Sequence, residues 1–132
     1  GGTYWKKLDD FIKTEMLGEG LVSEEDLALY RIVYSADEAV EEVCNFYKNY
    51  HSLRFVGELL SIRMQRKLPE TALAALNEKF ASIVVNGSIS QSGALAEEEN
   101  ETDLAAMPRL VFNFNRRNYG KLRMLIDEIN KF

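Results

Sequence analysis

An apolar strand that runs directly into a C-terminal helix is the feature that most constrains the fold of this chain. The strand is predicted over Leu110–Phe114. The helix after it has one apolar face, on which the residues expected to be buried are Tyr119, Leu122, Leu125, Ile126 and Ile129. Because a helix with one apolar face must bury that face against another layer, the last quarter of the chain predicts a layered fold that contains both helices and strands.

The middle of the chain adds further strands and one more helix. Leu53–Met64 is rich in residues that favour strands, and Gly57–Glu58 within it suits a two-residue turn, so either a hairpin or one long bulged strand fits. Pro69 suits the first position of a helix, and Ser88–Ser92 is predicted as a short polar edge strand. Residues 93–107 contain a run of acidic side chains and are predicted as an exposed loop.

The first fifty residues follow a pattern of helix, short strand and helix. Apolar residues at helical spacing predict the first helix: Trp5, Leu8, Ile12 and Met16. Arg31–Tyr34 is predicted as a buried strand, and Ser35 with Glu38 forms a capping box that opens the second helix. The inner face of that helix is predicted to comprise Ala36, Val40, Val43, Cys44 and Tyr47. This order is typical of the closing end of an α/β layer whose other strands are missing.

Composition argues against several classes of function. A net charge of −5 argues against binding to nucleic acids or acidic membranes. No apolar run reaches the length of a membrane span and no signal peptide opens the sequence, so we expect a cytoplasmic protein. A single cysteine and a single histidine predict neither a metal site nor a cofactor. We expect Cys44 to be a small buried side chain and His51 to make a structural hydrogen bond.

Two groups of basic residues are candidates for binding an anion. One lies between the last strand and the last helix, where Asn115 is predicted to cap the helix and cations are unfavourable unless they face an anion or a carboxylate. The alternative is an ordinary solvated helix start whose arginines pair with nearby acids. The other group ends a strand. If the two elements are neighbours, they form a phosphate-sized patch from Arg63, Arg66, Lys67, Arg116 and Arg117.

A resemblance to a known family rests on the order and spacing of five short blocks: Tyr50–Gly57, Leu76–Ala81, Pro108–Leu110, Asn115–Gly120 and Leu125–Asp127. Together they resemble the C-terminal part of extended bacterial LOG-family proteins, formerly described as lysine decarboxylase-like. The resemblance implies that residues 1–50 are the C-terminal remnant of a Rossmann-like nucleotide-binding domain. Residues 51–132 would then be a small α+β module with two helices on one face of its sheet. The predicted fold class is therefore α/β to α+β.

The resemblance also implies a nucleotide-processing parent. LOG-like enzymes hydrolyse the N-glycosidic bond of nucleoside 5′-monophosphates, and their signature is a Pro-Gly-Gly-x-Gly-Thr-x-x-Glu loop that holds the phosphate. Gly1-Gly2-Thr3 echoes this loop but lacks its third glycine and its glutamate. We therefore assign no catalytic residue and expect the chain alone to be inactive.

Two functional hypotheses follow. In the first, the chain is a non-catalytic C-terminal region of a LOG-like phosphoribohydrolase that serves packing, dimerisation or lining of the nucleotide cleft. In the second, it is a stand-alone module for sensing an anionic ligand or for homodimerisation. We expect a homo-oligomer in either case. If residues 1–50 lack their parent sheet, they should expose an apolar face and promote self-association.

Overall fold

The structure is a computed structural model that describes residues 2–132. It has an α+β fold, with one antiparallel sheet of four strands and four α-helices. Gly1, part of the glycine-rich echo, lies outside the described residues. The elements are α1 (Gly2–Phe11, continued by a π-helical turn over Ile12–Met16), α2 (Ala36–Phe46), β1 (Tyr50–Val56), β2 (Leu59–Met64), α3 (Glu70–Lys79), β3 (Ser90–Ser92), β4 (Arg109–Phe112) and α4 (Tyr119–Ile129). The strand order in the sheet is β1-β2-β4-β3. The coarse α+β prediction is therefore confirmed.

A tight hairpin joins β1 to β2. Gly57 adopts a φ of +57°, the left-handed conformation that glycine tolerates best, and Val56 pairs with Leu59 across the turn. Of the two alternatives for this segment, the hairpin is the one found. Its register places Ser52 opposite Arg63 and brings polar side chains of both strands to the same face of the sheet.

The hydrophobic core lies on the other face of the sheet. Leu60 pairs with Phe112 and Ile62 with Leu110, and these side chains pack against residues of α3 and α4. Residues of α3 and α4 thus share one core cluster with the apolar residues of β2 and β4. The prediction that Tyr119 is buried is wrong, because this residue is 45% exposed. The N-cap of α4 is also not Asn115 but Asn118, whose side chain accepts a hydrogen bond from the Lys121 N–H.

Two buried asparagines tie the end of α4 to the sheet. The Asn130 Oδ1 accepts from the backbone N–H groups of Asn49 and Tyr50, each at 2.8 Å, and its Nδ2 donates to the Phe46 carbonyl. The Asn49 Oδ1 in turn accepts from the Arg66 N–H at 2.8 Å. Helix ends and strand ends leave backbone groups unpaired. These side-chain amides therefore accept hydrogen bonds from N–H groups that would otherwise be buried without a partner.

Two predictions for the N-terminal region are wrong. Arg31–Tyr34 is not a strand, because no other strand among residues 2–132 lies beside it to pair with its backbone. The predicted inner face of α2 is exposed, including Cys44, because α2 contacts the rest of the chain through Glu42 and Phe46 instead. Ser35 caps α2 as predicted by accepting from the Glu38 N–H. The capping box is incomplete, because the Glu38 carboxylate accepts from the Tyr34 N–H rather than from the N–H of the cap residue Ser35.

Close backbone contact docks the N-terminal region onto α4. A short 3-10 helix, Glu25–Leu29, packs on the first turn of α4 at Gly120. A Cβ atom at Gly120 would lie 2.3 Å from the Glu25 carbonyl oxygen and 2.7 Å from the Asp26 nitrogen. Only glycine therefore permits this approach.

We expect Gly120→Ala to lower the free energy of unfolding by about 2 kcal/mol because of overpacking. This loss would exceed the gain of about 1 kcal/mol that alanine brings to a helix interior. Urea denaturation measures the change. Gly93→Ala is the control, since its added Cβ would meet no atom within 4 Å. Equal effects of the two substitutions would contradict the docked arrangement.

Candidate functional site

The three basic residues predicted near the end of β2 lie in different environments. Arg63 is 5% exposed and lies inside the protein. The Arg66 guanidinium donates to the backbone carbonyl of Phe132 at 2.9 Å, whereas Lys67 is exposed. Of these three, Lys67 is the one whose charge faces solvent without a partner in the described chain.

Arg116 and Arg117 lie near the opposite end of β2. The Arg116 guanidinium donates to the Gly57 carbonyl at 2.7 Å and stacks 4.3 Å from the centre of the Phe55 ring. Arg116 has a φ of +54°, and Arg117 is exposed. Since β2 rises roughly 3.3 Å per residue, the hairpin turn lies more than about 10 Å from the far end of the strand. The structure thus does not bring the two basic groups together, and anion binding by either group stays a prediction.

A buried ionic cluster covers the polar face of the sheet. Arg63 of β2 and Arg109 of β4 are register partners. The Glu98 carboxylate lies between them: one oxygen accepts from Arg63 Nε and the other from Arg109 Nε, both at 3.0 Å. Glu98 and Arg109 are fully buried. Glu101 adds a second carboxylate that pairs with Arg63 and, at 2.8 Å, with Arg54.

This cluster corrects the prediction that residues 93–107 form an exposed acidic loop. The segment folds into two short 3-10 turns, Ala96–Glu98 and Thr102–Leu104, and carries Glu98 into the protein. The physical reason is that two arginines side by side on a sheet face need a carboxylate once water is excluded. The sequence signal was the appearance of arginines in two largely apolar strands.

Opposing effects act on the Glu98 carboxyl. Burial raises the pKa of this carboxyl, but hydrogen bonds from the Leu95 N–H, Arg109 and Arg63 outweigh burial, so the pKa falls below its ordinary value of 4.5. A carboxyl with a lowered folded-state pKa adds stability above its unfolded pKa, and that stability is lost as the pH falls through the folded pKa.

We therefore expect the free energy of unfolding to decrease as the pH is lowered below 4.5, the ordinary pKa of the group. Urea denaturation at a series of acidic pH values measures this decrease. The pKa of Glu128 is also lowered, by its bonds to Lys79 and Lys131, and contributes in the same direction. The comparison with Glu98→Gln isolates the contribution of Glu98 to this decrease in stability. The variant should show a flatter pH dependence of the free energy of unfolding, and an unchanged pH dependence would contradict the lowered pKa of Glu98.

A polar cleft of about 500 Å³ lies between α2, α4 and the segment that includes Ala28 and Arg31. Four basic and two acidic side chains line it: Arg31, Lys48, Arg123, Lys131, Glu42 and Asp127. Glu42 bridges the walls, because its two carboxylate oxygens accept from Arg31 at 2.6 Å and from Arg123 at 3.3 Å. None of these residues was predicted from the sequence to form a site, since they come from three separate stretches of the chain.

Large exposed apolar residues are concentrated in the N-terminal region. We call them the N-terminal apolar surface: Tyr4, Trp5, Leu8, Phe11, Leu21, Leu29, Tyr34, Val40, Val43 and Tyr47. An apolar groove of about 380 Å³ separates α1 from the segment Ile32–Val33. Within residues 2–132, no backbone hydrogen bond is made by Arg31, Ile32 or Val33. This segment, which has no regular secondary structure, therefore lies between two helices with its backbone groups unpaired by other backbone groups of residues 2–132.

Comparison with known proteins gave no match. No family model matches the chain, and no curated protein and no solved structure matches it. The LOG-family relationship therefore stays a prediction from the sequence blocks. Among residues 2–132, no helix is both long and apolar enough to cross a bilayer.

Proposed function

We propose that this chain is the non-catalytic C-terminal region of a LOG-like nucleoside 5′-monophosphate phosphoribohydrolase, and that its N-terminal apolar surface packs against a Rossmann-like sheet. The observation that carries the proposal is the segment Arg31–Val33, which has no regular secondary structure and whose backbone hydrogen-bonding groups have no backbone partner among residues 2–132. Backbone groups in a strand-like segment gain stability from an adjacent strand, and exposed strand edges act as templates for pairing.

The two flanking helices support the same function. In an α/β layer, helices bury one apolar face against the sheet. Both α1 and α2 present apolar side chains to solvent, and at Val40 and Val43 more than half of the residue surface is exposed. Isolated exposed apolar residues are ordinary, but this concentration within one third of the chain is typical of a surface that is covered in a larger protein.

Hydrolysis by the parent is the direct test. The longest open reading frame that contains this sequence should be expressed and assayed for release of ribose 5-phosphate from AMP and the other ribonucleoside monophosphates. We expect activity in the longer protein and none in residues 1–132 alone. A longer protein without activity on any of these substrates, or one without a glycine-rich phosphate loop, would overturn the proposal.

A second test concerns the surface itself. Because the N-terminal apolar surface is uncovered in this chain, we expect the isolated chain to self-associate at high protein concentration, as measured by sedimentation velocity. The double variant Val40→Lys and Val43→Lys should shift the chain toward monomer with little change in thermal stability, since both side chains face solvent. Val85→Lys is the matched control, being equally exposed but outside this surface. A wild-type chain that is monomeric throughout would contradict the role of the surface in docking.

A further inference from the structure

We propose that the polar cleft between α2 and α4 binds a small molecule carrying a phosphoryl group. Its volume of about 500 Å³ falls within the range of ligand pockets in proteins, roughly 300–1,000 Å³. This inference shares Arg31 with the packing function proposed above, but it concerns side chains rather than backbone groups and is tested on the isolated chain.

The net charge of the cleft is opposite in sign to that of the whole protein. Four basic and two acidic side chains line it, and Glu128, just outside the lining, pairs with Lys131 at 2.9 Å. With Glu128 included the cleft keeps a positive excess, whereas the whole chain carries a net charge of −5. A concentration of cations in a concave site raises the local potential and attracts anions even when the protein as a whole is acidic. An anionic group such as a phosphate monoester would be attracted to this excess.

The arginines of the cleft are held in position before any ligand arrives. Glu42 accepts hydrogen bonds from Arg31 and Arg123, and Arg123 also donates to Asp127 at 3.0 Å. The Arg123 guanidinium lies 4.7 Å from the centre of the Phe46 ring. These contacts use only some of the guanidinium donors, and each arginine has five N–H groups in all. Arginines fixed in this way lose less conformational freedom when they bind a phosphate.

Lys48 provides a cation with no competing contact. Its ammonium group is exposed and has no carboxylate partner among the described residues, and it belongs to the wall of the cleft at the end of α2. Phe46 and Tyr30 supply apolar surface in the same cleft. The lining therefore suits a phosphorylated molecule with a planar or apolar part, such as a nucleotide, as well as a smaller phosphate.

Calorimetric titration with inorganic phosphate, pyrophosphate, AMP and adenosine tests the proposal. We expect pyrophosphate or AMP to bind and adenosine, which lacks the phosphoryl group, not to bind. Tighter binding of AMP than of pyrophosphate would identify a nucleotide site, and the reverse order would identify a site for the phosphate group alone. Absence of heat with all three phosphates at millimolar concentration, confirmed by unchanged amide shifts in NMR spectra, would overturn the proposal.

Variants locate the site. Arg31→Gln combined with Lys48→Gln should weaken binding about tenfold, because each substitution removes a charge-assisted contact. The matched control is Arg117→Gln combined with Lys67→Gln, which makes the same change of charge at exposed residues outside the cleft. Both double variants should fold, since the side chains lie on the surface. Binding that is lost in the control but kept in the cleft variant would overturn the proposal in favour of the sequence-predicted basic residues.

Discussion

Replacing Glu98 by alanine is expected to lower the free energy of unfolding by about 3–5 kcal/mol, the cost typical of breaking a buried ion pair from one side. Glu98 lies between Arg63 and Arg109, and Arg109 is fully buried. Without the carboxylate, two guanidinium groups would remain in a water-poor environment, and within residues 2–132 the acid left in contact with Arg63 would be the partly exposed Glu101. Urea denaturation at neutral pH measures the loss.

Glu99→Ala is the control for this experiment. It removes the same functional group from the neighbouring position, but Glu99 is exposed and has no side-chain partner among residues 2–132. We expect its effect to stay within about 0.5 kcal/mol. Comparable losses in the two variants would mean that Glu98 is not buried as described.

A triple replacement separates two contributions to stability: the loss caused by leaving two arginines without their carboxylate, and the net contribution of the whole ionic cluster. Arg63→Met, Glu98→Leu and Arg109→Met together remove all three charges while keeping most of the buried volume. Because desolvation of ions often exceeds their mutual attraction, we expect the triple variant to be far more stable than Glu98→Ala. A triple variant as unstable as Glu98→Ala would show that the loss comes from packing rather than from uncompensated charge.

The second large effect is expected for Asn130→Ala, which should lower the free energy of unfolding by about 3 kcal/mol. The substitution leaves the backbone N–H groups of Asn49 and Tyr50 without their acceptor, and each buried unpaired group costs about 1–3 kcal/mol. Thermal and urea unfolding both measure the loss. Hydrogen exchange adds a local readout, because the amides of these two residues should exchange much faster in the variant.

Asn100→Ala provides the comparison, since Asn100 is exposed and its side chain makes no hydrogen bond among the described residues. We expect it to be nearly neutral. Asn130→Asp is informative as well, because a carboxylate can still accept both hydrogen bonds but cannot donate to the Phe46 carbonyl. A fully stable Asn130→Ala variant would contradict the buried amide network.

The elements of the second half could be predicted from local sequence because each has a local physical cause. Gly57 permits the left-handed turn of the hairpin, Pro69 immediately precedes α3, and the apolar spacing of α4 defines the face that it buries. Asn115 and Asn118 are both good caps, so the sequence alone could not decide which of them begins the helix.

The N-terminal region shows where local patterns stop being informative. The periodicity of α2 identifies an apolar face but does not say whether that face is covered, and among residues 2–132 no layer covers it. Arg31–Tyr34 has the composition of a buried strand, yet a strand requires a neighbour for its backbone hydrogen bonds. The prediction of a strand failed because strand formation depends on a neighbouring strand as well as on the composition of the segment itself.

Sequence by itself determined the α-helices of this protein, the hairpin and last strand of its second half and which helix faces are apolar, because turn chemistry, capping and periodicity act over a few residues. Only the tertiary structure decided which charges meet. Glu97, Glu98 and Glu99 are equivalent in the sequence, but the register that pairs Arg63 with Arg109 selects Glu98 as their buried partner. The lining of the polar cleft likewise depends on how α2 docks onto α4. Burial and ion pairing arise between residues distant along the chain, and local sequence does not encode their distance in space.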